Sequence, residues 1–218
     1  MKKKLKITFL LDKNNDWIQK SIKKTFLNNQ NKYFFSIKKN YKKVINQDIV
    51  FILSYTKILP KSFLKKNKLN LVIHASNLPK GKGFAPIQWQ ILDNKNKIKV
   101  CLIEAALKVD SGPILEENYL KFKGNELNDE IREMQSNISI KIIKKFLKKY
   151  PKVKKKSQIG KSSYYKRRYP LDSLLNINKS IKKNFNLLRI VDNEKYPAFF
   201  TFKKNKYIIK IFKINKNN

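Results

Sequence analysis

One cysteine, one histidine and five glycines in 218 residues leave few of the side chains that build redox, metal and phosphate-loop sites. Cys101 alone excludes an intrachain disulfide framework and any multi-thiol metal site, and its apolar neighbours Val100 and Leu102 suit a buried strand. His74 alone excludes a cage of imidazoles. No GxGxxG follows the first apolar run, where Leu11-Asp12-Lys13-Asn14 stands instead, and there is no Walker A sequence and no GxSxG elbow. Nicotinamide dehydrogenases, P-loop enzymes and serine hydrolases of that type are therefore set aside. No apolar run approaches the roughly 20 residues of a membrane span. The start, Met1-Lys2-Lys3-Lys4, resembles the first part of a secretory leader, but residues 7–11 are too short an apolar run and Asp12 closes it, so the expected address is the cytoplasm.

Acidic residues are scarce too: Lys+Arg 51 against Asp+Glu 15 gives 51 − 15 = +36. Such a charge suits a phosphate-rich partner. Yet lysine is spread along almost the whole chain (Lys23, Lys42, Lys65, Lys97, Lys144, Lys182), alongside abundant Asn and Ile, residues that share A/T-rich codons. The excess reads equally well as composition. Hydrophobic residues at 41% and aromatics at 12% supply a core, which argues against disorder.

Short apolar runs alternate with longer amphipathic ones, the pattern of β-α-β units around a largely parallel sheet. Strands are expected at residues 7–11, 33–37, 48–54, 69–75 and 98–104, with an extended segment at 114–122. Helices are expected at 16–27 with Asp16 as cap, after Pro60, at 88–92 and over 125–150, where Pro151 ends the longest one. Residues 152–163, polar and lysine-rich, read as a linker. Beyond it stand one helix, 181–191, and a hairpin of 198–203 and 206–212 across Lys204-Asn205. Trp89 and the tail aromatics Tyr164, Tyr165, Tyr169, Tyr196, Phe199, Phe200 and Tyr207 are expected to pack rather than to stack a base.

His74 ends a predicted strand just before the turn Ser76-Asn77-Leu78-Pro79-Lys80-Gly81-Lys82-Gly83, and loops after strand ends are where open α/β sheets bind ligands. Asp110 interrupts an apolar segment in Lys108-Val109-Asp110-Ser111-Gly112-Pro113-Ile114. The residue types alone allow a structural histidine and a turn aspartate. If the two side chains meet, the carboxylate fixes the imidazole tautomer and leaves the other nitrogen to serve a developing oxyanion, as acyl-type transfer requires.

The segment His74-Ala75-Ser76-Asn77-Leu78-Pro79-Lys80-Gly81-Lys82-Gly83-Phe84-Ala85-Pro86 resembles the folate-dependent formyltransferase family, which carries Asn-x-His-x-Ser-x-Leu-Pro-x-x-x-Gly and, later, Asp-x-Gly-x-Ile, here Asp110-Ser111-Gly112-Pro113-Ile114. Ser54-Tyr55-Thr56-Lys57-Ile58-Leu59-Pro60 is similar to the loop bordering that family's folate pocket. Tyr165-Lys166-Arg167-Arg168, Asn186-Leu187-Leu188-Arg189 and Tyr196-Pro197-Ala198-Phe199 resemble its C-terminal region. The resemblance implies a Rossmann-like α/β core with a mainly parallel sheet over residues 1–150, a basic linker over 151–163 and a small α+β appendage over 164–218. It implies His74 as general acid and oxyanion partner, Asp110 as its orienting carboxylate and Ser76 in support, with 10-formyltetrahydrofolate as formyl donor held by Lys57, Ile58, Leu59, Ala106 and Leu107. One position departs: the family's asparagine two residues before the histidine is Val72 here, and Asn77 is the expected substitute amide.

The short region after the long helix points, within the family, to a nucleotide-linked amino sugar as acceptor, of the kind used in surface polysaccharide such as lipopolysaccharide. Lys80 and Lys82 would then face the pyrophosphate, and the appendage would pair subunits in a homodimer. Methionyl-tRNA, another amine, and a catalytically impaired relative that binds nucleic acid or a ligand through its basic surface are the alternatives. No RNA-binding motif is recognisable.

Overall fold

A computed structural model describes residues 4–13, 15–27 and 33–214. Residues 1–3, from the leader-like start, and Asn14 lie outside them. In chain order the elements are β1 (Leu5–Leu11), α1 (Asp16–Ile22, prolonged by a wider turn Lys23–Leu27), β2 (Tyr33–Lys38), β3 (Ile49–Leu53), α2 (Lys61–Lys65), β4 (Leu69–His74), β5 (Lys82–Gly83), α3 (Pro86–Leu92), β6 (Lys97–Glu104), β7 (Ile114–Lys121), α4 (Asn128–Lys149), β8 (Tyr164–Tyr165), α5 (Ile181–Ile190), β9 (Ala198–Phe202) and β10 (Asn205–Ile209). A six-stranded sheet runs β2-β1-β3-β4-β6-β7. The pairs among β1, β2, β3 and β4 are parallel, whereas β6 and β7 return antiparallel. Every residue of β3 is buried, as a strand flanked on both sides and covered on both faces must be.

Alternation along the strands divides the core. Ile7, Phe9, Leu11, Phe51, Leu71, Val100 and Leu102 face one way, against Ile18 and Ile22 of α1, Ile87 and Ile91 of α3 and Ile142, Ile143 and Phe146 of α4. Leu10, Val50 and Ile52 face the other way and meet Phe63 of α2. Cys101, Ile103, Ile114 and Leu78 form a further cluster, and Val72 packs against both of these smaller groups. No helix among the described residues is long and apolar enough to cross a membrane.

Three expectations shift in detail. Asp16 is the first residue of α1, preceded by Asn15, and its carboxylate pairs with Lys39 at 3.1 Å instead of capping the helix. The long helix starts at Asn128, because the Glu126 carboxylate accepts the Lys123 and Gly124 N–H groups and holds the preceding residues in a turn. The hairpin turns at Lys203-Lys204, both at positive φ, so Asn205 pairs with Phe202.

The appendage is tied to the sheet through one buried cation. Arg189 of α5, 1% exposed, donates to the Glu126 carboxylate at 2.7 Å, to the Glu126 carbonyl at 3.0 Å and to Asn96 Oδ1 at 3.2 Å. Burial alone would push the Glu126 carboxyl up, but the N–H donors of the 123–126 turn and the guanidinium together hold it below the ordinary carboxylate range. Removing one member strands a buried charge. Arg189→Met should therefore cost about 3–5 kcal/mol in denaturant unfolding at pH 7, and Arg189→Met with Glu126→Gln should recover part of it. Because the folded-state value is depressed, this stabilisation is complete above the unfolded carboxyl value of about 4.3 and is lost as pH falls through the lower folded value. The wild type and the double variant should converge there in acid titrations of stability.

Candidate active site

His74 is the last residue of β4, after which the chain reverses through residues 75–81 with Lys80 N–H on the Asn77 carbonyl at 3.0 Å. The loop that carries Asp110 does not start beside it. By register Cys101 pairs with His74 and Glu104 with Leu71, so β6 ends near the beginning of β4. Residues 105–110 must run back along the sheet face toward His74, roughly three residues' rise or about 10 Å, before Gly112 and Pro113 return beside Glu104. They do so through a left-handed Asp110 (φ 50°). Asp110 Oδ2 then accepts the Gly83 N–H at 2.9 Å and lies 3.3 Å from His74 Nδ1. His74 Nε2 lies 2.8 Å from the Gly81 carbonyl. Each imidazole nitrogen thus faces an oxygen acceptor, and only the doubly protonated ring donates to both. The two side chains are 6% and 9% exposed, which keeps competing water away from the pair.

The segment expected as a linker passes directly over this pair. Its backbone bridges Ile114 at Lys156, with both N–O distances 2.8 Å. Gln158 donates to the carbonyls of Asp110 and Gly112. Ser163 accepts the Gly81 N–H on its hydroxyl and the Lys82 N–H on its carbonyl. β8 then pairs parallel with β5. Gly83, at φ 95°, has no room for a side chain, since a Cβ would sit 2.5 Å from the Tyr165 carbonyl. Farther on, Arg167 lies 4.4 Å over the Phe84 ring and donates to the Thr56 carbonyl at 2.8 Å. Trp89, expected in the core, instead anchors this strap: its indole N–H donates to the Lys166 carbonyl at 2.8 Å.

A cleft of about 390 Å³ opens beside the pair, within the range of small-molecule sites. His74 and Asp110 line it, as do Lys57, Ile58, Leu59, Ala106 and Leu107, so seven of the eight residues singled out from the sequence meet in one place. Ser76 does not: it is 1% exposed, its hydroxyl has no hydrogen-bond partner, and it lies outside the lining. Val72 lines the cleft. Asn77, expected to replace the missing amide, is exposed and lies outside the lining, because it sits where the chain turns away from β4. Nor does Asn70 reach the cleft; it is buried with its amide on the Leu64 carbonyl. The amides that do line it are Asn15, Gln88 and Gln135, all missed in the sequence, and Arg132 joins them. A helix-face count would have found Arg132 and Gln135 one turn apart. Lys80 is exposed and Lys82 is buried on Ser162 Oγ at 3.1 Å, and neither lines the cleft.

Cys101 supplies no nucleophile. It is fully buried, donates to the Ser76 carbonyl at 3.4 Å, and burial, with the nearby Glu117 charge, pushes its thiol up to about 12. A thiol of this kind is inert. A disulfide reagent at pH 8 should leave it unmodified in the folded protein and titrate one thiol in denaturant; fast native reaction would show that this region opens. Among the described residues, no group of acidic, histidine and cysteine side chains is placed to hold a metal ion.

Residues 5–143 match the formyl transferase family. The bifunctional polymyxin resistance protein ArnA of Wigglesworthia glossinidia brevipalpis is 30% identical over 178 residues, 78% of this chain and 26% of that protein. The methionyl-tRNA formyltransferase of Thermodesulfovibrio yellowstonii is 30% identical over 169 residues, 76% of this chain and 54% of that one. The chain spans between 26% and 62% of the length of these and similar curated relatives. Among solved structures, a methionyl-tRNA formyltransferase from Clostridium thermocellum superposes with TM-score 0.84 at 24% identity, covering 98% of this chain and 95% of the other. A 4-N formyltransferase from Francisella tularensis gives 0.70 at 15%, covering 96% and 99%, and HypX from Aquifex aeolicus in complex with tetrahydrofolic acid gives 0.73 at 12%, covering 96% and 38%. At these identities the superpositions establish the fold. The family match spans the six-stranded sheet, the turn after β4 and the Asp110 loop, and on that ground the chain belongs to the formyl transferase family.

Proposed function

We propose that this chain transfers the formyl group of 10-formyltetrahydrofolate to a primary amine, and that the amine belongs to a nucleotide-linked amino sugar. The observation that carries the reaction is the His74–Asp110 pair on the wall of a cleft whose other walls are the 54–59 loop and residues 105–107. Ile58 and Leu107 are 70% and 62% exposed at this cleft, apolar side chains suited to a flat ring system. Lys57 adds positive charge for an anionic tail or a phosphate, whereas Arg132 at the cleft is already paired with Asp192 at 3.0 Å. The HypX structure holding tetrahydrofolic acid has the same fold.

The donor brings an activated formyl carbon. The acceptor nitrogen bonds to that carbon, the bond to the folate nitrogen breaks, one proton leaves the amine and one returns to the folate. His74, with Nδ1 toward Asp110, presents Nε2–H to the oxygen that becomes negative, sharing that hydrogen with the Gly81 carbonyl that orients the ring. Asp110 balances the imidazolium charge. Val72 can donate nothing, so this oxygen lacks the side-chain amide that the family asparagine would supply; one such donor is worth about 3 kcal/mol.

The sugar reading is supported by a sugar N-formyltransferase from Shewanella that is matched over 97% of its length; the Clostridium methionyl-tRNA formyltransferase is matched over 95% of its length at the higher TM-score of 0.84, so shape fits both acceptors. The second reading, methionyl-tRNA, has support from the names of the curated relatives and from the +36 charge, which favours a polyanion.

Calorimetry with 5-formyltetrahydrofolate should show micromolar binding, near −8 kcal/mol; none would overturn the reading. His74→Ala should keep that affinity and lose about 10²–10⁴-fold in kcat. Assays with a panel of nucleotide-linked amino sugars and with methionyl-tRNA, at several salt concentrations, then assign the acceptor. Turnover of tRNA alone would move the second reading to first. Val72→Asn should raise kcat by roughly tenfold, since an amide there stands on the strand face of His74; an unchanged kcat would show that another group already serves the oxygen.

A further inference from the structure

We propose that Gln158 is the positioning residue that sets the His74–Asp110 pair, an inference that rests on reading this pair as the formyl-transfer centre. From Lys154 to Tyr164 every residue is exposed except Gln158, which turns inward beneath the strap. Its amide nitrogen donates to the Asp110 carbonyl and to the Gly112 carbonyl, both at 2.8 Å. Both amide hydrogens are thus spent on the backbone flanking Ser111, while the side-chain oxygen is buried without a partner. A buried acceptor left unpaired is unfavourable, and the double donation is what offsets it.

The backbone it grips has reason to move. Asp110 holds φ at 50°, the left-handed region that a side chain with a Cβ disfavours. Released, residue 110 relaxes toward negative φ and swings its carboxylate away from both His74 Nδ1 and the Gly83 N–H. The same strap secures the other acceptor. Five residues on, Ser163 holds Gly81, whose carbonyl faces His74 Nε2. The two oxygens that orient the imidazole are fixed from behind by one run of chain, and Gln158 is its contact to the carboxylate side. It touches no part of the cleft, so it acts through Asp110.

His74 is the only histidine in the sequence, so its imidazole 15N resonances are assignable without ambiguity in the full chain. The test compares wild type, Gln158→Leu, which keeps length and removes both donors, and Lys161→Ala, an exposed control in the same strap. Gln158→Leu should shift the His74 resonances and lower kcat at least tenfold, with the KM for the donor and the affinity for 5-formyltetrahydrofolate within threefold of wild type. Lys161→Ala should match wild type throughout. Gln158→Asn, a shorter donor, should fall between the two and carries the same test if the leucine variant is insoluble. Unchanged His74 resonances in Gln158→Leu, or a shift shared by Lys161→Ala, would overturn the proposal. So would joint loss of folate affinity, kcat and melting temperature, the mark of a merely structural residue. If the wild type moves no formyl group, the functional reading fails, and the His74 resonances still decide whether Gln158 positions the pair.

Discussion

The close approach of Gly112 to the strand that precedes it determines where the groups around His74 can stand. A Cβ at residue 112 would lie 1.8 Å from the Glu104 carbonyl oxygen, inside the contact distance of any two atoms. Glycine therefore lets the chain leaving β6 fold back at once, with Glu104 N–H on the Pro113 carbonyl at 3.0 Å. That tight return is what allows a loop starting beside Leu71 to deliver Asp110 to His74, three residues farther along β4. The left-handed Asp110 is its conformational cost. The antiparallel pairing of β6 with β7, the closure of their connection and the placement of the carboxylate are thus set together.

A chain with so few acidic residues spends them at joints. Glu126 meets Arg189 where the appendage docks, and Glu116, 4% exposed, meets Lys145 and Lys149 where α4 lies on β7. Asp192 meets Arg132 at 3.0 Å, and Asp12 accepts from the Thr56 N–H and hydroxyl, fixing the 54–59 loop. The Glu126, Glu116 and Asp192 carboxylates are shielded, so their ion pairs hold their geometry in a way that exposed pairs such as Lys210–Glu194 do not. The surplus lysines are left to the surface. High net charge here is compatible with a well-determined fold because the attractions are few, local and placed between elements.

The sheet was legible because its central strands are apolar runs of strand length, most of them flanked by polar residues such as Asp12, Asp48, Ser54 and Asn96. Residues 49–53 and 98–103 could hardly be anything else. His74 was legible as a lone polar residue ending an apolar run before a turn, and its pairing with Asp110 was legible through the family resemblance. What escaped is tertiary. The reversal of β6 leaves no mark in its own sequence, so the route by which Asp110 reaches His74 could not be read. Gln158 and Ser163 sit in a lysine-rich run with no period, where a side chain turned inward looks like its solvated neighbours. Gln88 and Asn15 border the cleft through loops and a helix start whose facing depends on packing. Trp89 seemed core material by type, but its ring serves as a platform for Lys166 and Arg168 at 5.4 and 5.9 Å.

Val72 connects these lines of argument. It packs against the group of Leu10, Val50, Ile52 and Phe63 and against the group of Leu78, Cys101, Ile103 and Ile114, joining two small apolar groups at the cleft it lines. An amide at that position would have to find partners in a neighbourhood where Asn70 Oδ1 is already buried unpaired. Valine thus keeps the floor continuous and gives up a hydrogen-bond donor. With that donor gone, the orientation of the imidazole carries more of the work, because a single donor stabilises charge only within a narrow range of direction and distance. The strap, the Gly83 contact and the Gly112 return all act on the two oxygens that orient this ring. Rigidity around His74 and apolarity at Val72 are two consequences of one arrangement.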